Sequence, residues 1–353
     1  MCTPSPRLRG WLVVVAVTVV ASVLLGLVGL PSPWLFGSLV GGLLHALTSR
    51  EELAMPPLVF AVGQGLVGAV IGALVQVSTL SRLAADWPSV ALVTLGTLAI
   101  SLAAGWLMAL HRDVSPATGA FSLVAGGASG IVALARELGA DDRVVTIVQY
   151  LRVLLVLLAM PVVTTVFFHP PHGGGGPPAG VATRSWPDLL FVVLAVGLGL
   201  LVQRFVTAPA TALLGPMLIA VALSASGVLG HVSVPTVLED LGYALIGVRV
   251  GLRFTRASLA SIARLLPLAC GLIVLVIAAC ALLGTALARV TGVDQLTAYL
   301  ATTPGGLFAV LATAADSGSD VTYVLAVQVI RVFAMLLLAP LLGRLFARAG
   351  PTT

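Results

Sequence analysis

The chain has 353 residues, of which 59% are hydrophobic and only 9% charged. Soluble domains carry about 25% charged residues, so the composition excludes a soluble domain and reads as an integral membrane protein. The net charge of +5 rests on eighteen arginines and no lysine. Arginines placed at the ends of apolar runs are an orientation signal, and no direct nucleic-acid partner is expected.

Twelve apolar segments follow one another along the chain. Arg7 and Arg9 precede the first, residues 11–29, which we take as an uncleaved span rather than a signal peptide. Pro31-Ser32-Pro33 breaks it, and a short segment, 34–48, follows. Next come 56–77, 88–110, a Gly-rich stretch 116–138, and 143–167. Residues 169–186, HPPHGGGGPPAGVATRSW, carry no apolar face and read as a flexible linker. Beyond it lie 187–206, a short 209–228, 235–254, 265–288, 295–315 and 321–346.

The linker separates halves of similar order. Aligning Gly68–Pro161 with Gly247–Pro340 needs no gap, and 24 of the 94 paired positions are identical. The identities fall on residues with mechanical roles: Gly68/Gly247, Gly72/Gly251, Pro88/Pro267, Gly126-Gly127/Gly305-Gly306, Gly139/Gly318, Asp141/Asp320, Gln149/Gln328, Arg152/Arg331 and Pro161/Pro340. A weaker match at an offset of 178 pairs Pro31 and Gly37 with Pro209 and Gly215. The expected architecture is an all-α integral membrane protein with two homologous repeats of about six apolar segments each, residues 11–168 and 187–348, joined by the linker.

Loop arginines indicate the relative orientation of the repeats, because cytoplasmic loops are enriched in Lys and Arg. If 116–138 and 295–315 enter and leave on one side, Arg7, Arg9, Arg50, Arg112, Arg136, Arg143, Arg204, Arg253, Arg256, Arg264, Arg344 and Arg348 fall inside. Arg82, Arg184 and Arg289 fall outside. Making the short segments re-entrant instead gives nine inside and six outside. The expectation is therefore an inverted pair with Gly-Gly-broken re-entrant segments, both termini cytoplasmic, in a bacterial-type plasma membrane.

Broken segments at matching positions of two halves point to a transporter's binding site. Pro304 lacks a backbone donor and glycines weaken helices. The freed backbone groups must face protein or a water-filled cavity. The expected solute or ion site comprises Thr302, Thr303, Pro304, Gly305, Gly306, Gly126, Gly127, Ser129, Gln149, Arg152, Gln328 and Arg331. Each arginine lies three positions after a Gln, on the same helix face. Three roles are open to it: binding a solute or ion, snorkelling to the surface, or pairing with Asp141 or Asp320 in the preceding turn. Glu137 and Asp316 are acidic candidates of the same turns. Arg249 has no counterpart in the first half, where Val70 stands, and Glu239-Asp240 begin its segment.

No catalytic, cofactor or metal site is expected. His45, His111, His169, His172 and His231 are scattered, and Cys2, Cys270 and Cys280 have no redox or metal spacing. The glycine run 173–176 is followed by no Lys-Ser/Thr. The expected partners are the lipid bilayer and a small solute or ion, with homo-oligomers compatible.

Taken together, the P-G-G break, the acidic turn and the Q-x-x-R helix resemble the AbrB-type membrane family. So does Pro33-Trp34-Leu35-Phe36-Gly37, with a weaker copy at Thr211-Ala212-Leu213-Leu214-Gly215. The resemblance covers residues 11 to 346. It implies a duplicated membrane domain similar to cation/proton antiporter-like transporters, and it is distinct from the soluble DNA-binding regulator of the same name. Labels carried by that family are ammonia monooxygenase and regulator of an alkylation-response gene. The histidines give no support to an oxygenase. The family's P-G-G-L-x-E-M is altered here: Ala125 stands for the first Pro, and Gly130 and Ala309 stand for the Glu. Proton coupling through that carboxylate is therefore not expected. The functional expectation is a transporter-like protein that binds or moves a small polar or anionic solute, with a membrane regulator acting through a partner as the alternative.

Overall fold

The computed structural model describes residues 6–49, 51–75, 87–124, 131, 135, 139–168, 186–205, 211–229 and 232–348. These residues are all-helical, with no strand among them. The helices are α1 (Pro6–Leu27), α2 (Pro33–Thr48), α3 (Pro57–Leu74), α4 (Trp87–Met108), α5 (Pro116–Leu123), α6 (Asp142–Val163), α7 (Trp186–Val202), α8 (Thr211–Ser226), α9 (Thr236–Gly251), α10 (Arg256–Ser261), α11 (Leu266–Thr291), α12 (Gln295–Thr302), α13 (Leu307–Asp316) and α14 (Val321–Arg348). A π-turn, Thr164–Phe168, extends α6. The helices fall where the apolar segments were expected, save that α10 occupies the connection after α9. Residues 169–185 of the linker lie outside the described residues, and its last residue, Trp186, opens α7.

Among the described residues, five helical stretches are long and apolar enough to cross a membrane: Arg7–Leu27, Pro57–Leu74, Trp87–Met108, Asp142–Phe168 and Leu266–Thr291. The first keeps Leu12, Val15, Val19, Val23 and Leu24 exposed. Such a continuous apolar surface is stable against lipid and costly against water.

The chain divides into two compact units, and each draws on both halves of the sequence. The first holds residues 1–75, 163–256 and 311–321; the second holds 76–162, 257–310 and 322–353. In the first unit, α2 packs on α1 and α9, and α3 packs on α7, α8 and α9. Small residues allow this, as close backbone approach is what packs helices in lipid. A Cβ on Gly68 or Gly72 of α3 would strike the carbonyls of Leu213 and Met217 on α8. A Cβ on Gly247 or Gly251 of α9 would strike the carbonyls of Leu35 and Leu39 on α2.

In the second unit, α4 packs on α5 and α11, and α11 on α12. Gly105 of α4 lies against Gly119 and Ala120, and Gly284 of α11 against Ala298 and Tyr299. Short helices α5 and α12 each have eight residues, and their first residues, Pro116 and Gln295, are 179 positions apart. Each is capped by a side-chain oxygen: Ser115 accepts from the Thr118 amide, and Asp294 from the amides of Leu296 and Thr297.

Candidate functional site

The site lies in the second unit, where α12 stops. Leu300 O would find its helical donor at position 304, but Pro304 has none. The chain makes a tight turn there, with the Gly305 amide donating to Thr303 O at 3.0 Å. Gly305 and Gly306 take φ values of 132° and 72°, a region that suits glycine. Helix α13 then begins at Leu307. The interruption expected at Pro304-Gly305-Gly306 is thus a true break.

The long helix α14 supplies the donors that the break lacks. Gln328 Nε2 donates to Leu300 O at 2.9 Å and to Thr303 O at 3.2 Å. Arg331 Nη1 donates to Thr303 O at 2.7 Å, and Arg331 Nη2 donates to Gln328 Oε1. Thr303 O therefore accepts from Gly305, Gln328 and Arg331.

Helix α6 makes the same brace at the end of α5. Gln149 Nε2 donates to Phe121 O at 2.6 Å and Val124 O at 2.9 Å. Arg152 Nη1 donates to Leu123 O at 3.0 Å, and Nη2 to Gln149 Oε1 at 2.9 Å. Donor and acceptor of the glutamine bonds are separated by 28 and 25 residues in both braces.

This geometry decides among the roles open to the arginines. Arg152 is 3% exposed and Arg331 2%, so neither snorkels. Their bonds go to Gln and backbone carbonyls. Asp141 Oδ1 instead accepts from the amides of Arg143 and Val144, capping α6. Both buried guanidiniums flank the break, Arg331 through Thr303 O and Arg152 beside Gly305. Each guanidinium also keeps one buried donor, Nε, with no partner. Arg152 Nε lies 3.3 Å from where a Cβ on Gly305 would stand, so it faces the break directly. Gly305 to Phe308 are half-buried, whereas Thr302, Thr303 and Ala309 are buried.

The family model described as Transition state regulatory protein AbrB matches residues 34–347. The chain belongs to the AbrB family. It is 34% identical over 325 residues to the AbrB protein of Escherichia coli (strain K12), whose name presents it as a regulator; the match covers 92% of both chains. It is 26% identical over 351 residues to YhjN of Bacillus subtilis (strain 168), whose name gives no function, covering 94% of this chain and 91% of that one.

Within this AbrB-family chain the expected site residues are distributed unevenly. Gln149, Arg152, Thr303, Gly305, Gln328 and Arg331 come together. The Thr302 hydroxyl donates to Ala298 O and Tyr299 O, and the Thr303 hydroxyl to Tyr299 O, so both are committed to α12. Gly126, Gly127, Ser129 and Glu137 lie outside the described residues. One neighbour was missed: the Cys280 thiol of α11 is fully buried and within electrostatic reach of both guanidiniums. Nothing in its spacing in sequence marked it.

The first unit holds a separate polar group. Both the amide and the hydroxyl of Ser32 donate to Asp316 Oδ2 at 2.7 Å. Tyr243 Oη donates to Glu239 Oε1 at 3.0 Å. Arg249 stacks over the Phe60 ring, 5.6 Å from its centroid. Among the described residues no three His, Cys, Asp or Glu side chains gather as metal ligands.

Proposed function

We propose that this AbrB-family protein is a transporter-like plasma-membrane protein built from two inverted repeats, which binds and moves a small polar or anionic solute. The observation that carries the reading is the twofold Gln–Arg brace: two buried arginines hold the ends of two short helices, at matching positions of the two sequence halves. Irregular backbone of this kind at membrane depth belongs where it lines a cavity or a solute path. The helix starts 179 residues apart and the exchanged glycine contacts of α3 and α9 support a duplication whose copies interlock. The arginine distribution supports opposite orientations, with both termini cytoplasmic.

Two measurements test this. Cysteine accessibility should place residues 111–115 and 289–294 on opposite faces of the membrane; finding them on one face rules out the inversion. Flux of small anions in reconstituted vesicles should fall with Arg152→Ala and with Arg331→Ala.

A second reading is favoured by the name of the Escherichia coli relative. The same site would sense a solute, and a soluble partner would carry the signal to gene expression. A stable partner in detergent pull-downs, with no flux in vesicles, decides for it.

A further inference from the structure

We propose that the break at Gly305-Gly306 binds a compact oxyanion, a carboxylate or an inorganic oxyanion, between the Nε–H groups of Arg152 and Arg331 and the first amides of α13. The inference deepens the transporter reading by giving its solute a chemical class.

Charge is the first argument. Two buried guanidiniums flank the break, Arg331 bonded to Thr303 O and Arg152 Nε 3.3 Å from a Cβ placed on Gly305, and among the described residues no ion pair joins either to a carboxylate. Buried charges are stable when paired. The one other ionisable group acting on both is the Cys280 thiol, which brings no charge while protonated. Among the described residues the site thus carries positive charge with no carboxylate paired to it.

Directed donors are the second argument. The braces use Nη1 and Nη2 of each arginine, which leaves Nε unpartnered and buried in both. A brace alone does not account for these donors, and a buried unsatisfied donor calls for a specific explanation. Arg152 Nε faces Gly305. Helix α13 starts two residues later with ten residues, and the amides of Gly306, Leu307 and Phe308 have no partner among the backbone bonds of the break. Of the five N–H groups on each guanidinium the brace bonds engage two, and Nε is the one nitrogen left without a partner. Donors from two arginines and from the helix start are well met by the several acceptor oxygens of an oxyanion.

Purified full-length protein in detergent can be titrated with acetate, phosphate and sulfate at constant ionic strength, with chloride as the balancing ion, while thermal unfolding is followed. A ligand that binds only the folded state raises Tm. We expect a saturable rise with at least one oxyanion, the acetate arm separating carboxylate from inorganic sources. Arg152→Gln and Arg331→Gln should each weaken the apparent affinity by about tenfold or more, the scale of a lost charged hydrogen bond. Gly305→Ala keeps both arginines and should weaken it as well, by filling the space before Arg152 Nε. Arg249→Gln, in the other unit, should leave it unchanged. If the arginine variants do not fold, the wild-type titration still decides. A Tm indifferent to every oxyanion, or an equal shift in Arg152→Gln, overturns the site. Binding is read without a membrane gradient, so vesicle flux judges transport separately.

Discussion

The braces at the ends of α5 and α12 use the same two side chains but meet different demands. At α5, Gln149 and Arg152 spread their donors over three carbonyls, those of Phe121, Leu123 and Val124. At α12, Gln328 and Arg331 converge on two, Leu300 and Thr303, and the Gly305 amide joins them on Thr303. One residue sets a special demand at α12. The donor that Leu300 O would use in a continuing helix belongs to Pro304, which has no N–H, whereas the matching position of the first half is Ala125. At α12 the pair stands in for an amide that Pro304 lacks.

This comparison can be broken by removing one glutamine at a time. Gln328→Leu leaves Leu300 O without a donor and Arg331 Nη2 without its acceptor. Burying such groups unpaired should cost about 3 kcal/mol. Gln149→Leu should cost less, about 2 kcal/mol, because the matching position in sequence, 125, is not a proline. Denaturation of the purified variants orders them. The sharper test adds Pro304→Ala to Gln328→Leu: restoring the missing amide should recover about 1 kcal/mol. A double variant no more stable than Gln328→Leu alone would show that Pro304 is not why the second brace is needed.

Much of this was legible in the chain, and the reason shows where legibility ends. Apolar runs and their interruptions located the helices, and the repeated Gln and Arg marked the braces, because spacing on one helix fixes which side chains share a face. What a face meets is not encoded in its own spacing. That Gly68 of α3 packs on Leu213 of α8, while Gly247 of α9 packs on Leu35 of α2, depends on helices distant in sequence. So does the approach of Cys280 to both arginines. The threonine hydroxyls bond locally, donating at the helix end to carbonyls of their own α12.

A second contrast lies at the entries to α2 and α8. Ser32, between two prolines, is the one non-glycine residue at positive φ among those described, at 52°. Its counterpart at the offset of 178 is Ala210. A Ser in the left-handed region costs about 1 kcal/mol, and here its amide and hydroxyl both clasp Asp316. Ser32→Ala keeps the strain and loses one bond to a carboxylate, so it should destabilise by about 1.5 kcal/mol. Ser32→Gly loses the same bond but relieves the strain, and should cost about 0.5 kcal/mol. Equal losses from the two would mean that Ser32 stores no strain.

The smallest effects are expected where the two halves agree. Gly139 and Gly318 have φ of 74° and 73°. The amide just after each reaches back five residues, Ala140 to Ala135 O at 2.9 Å and Ser319 to Ala314 O at 3.2 Å. That bond and a left-handed glycine are the closing motif of a helix C-terminus. Around Gly139 there is open space for a methyl group, so Gly139→Ala meets only the backbone penalty, about 1 kcal/mol. Gly318→Ala has the same φ to hold and should cost the same. Equal values from denaturation would show that both turns serve only to end a helix. An excess of more than about 0.5 kcal/mol at Gly318, beyond the usual scatter between independent sites, would mean that its turn carries a further load. The nearest source of one is Asp316, two residues before Gly318 and tied to Ser32, so Ser32→Ala should then remove the excess.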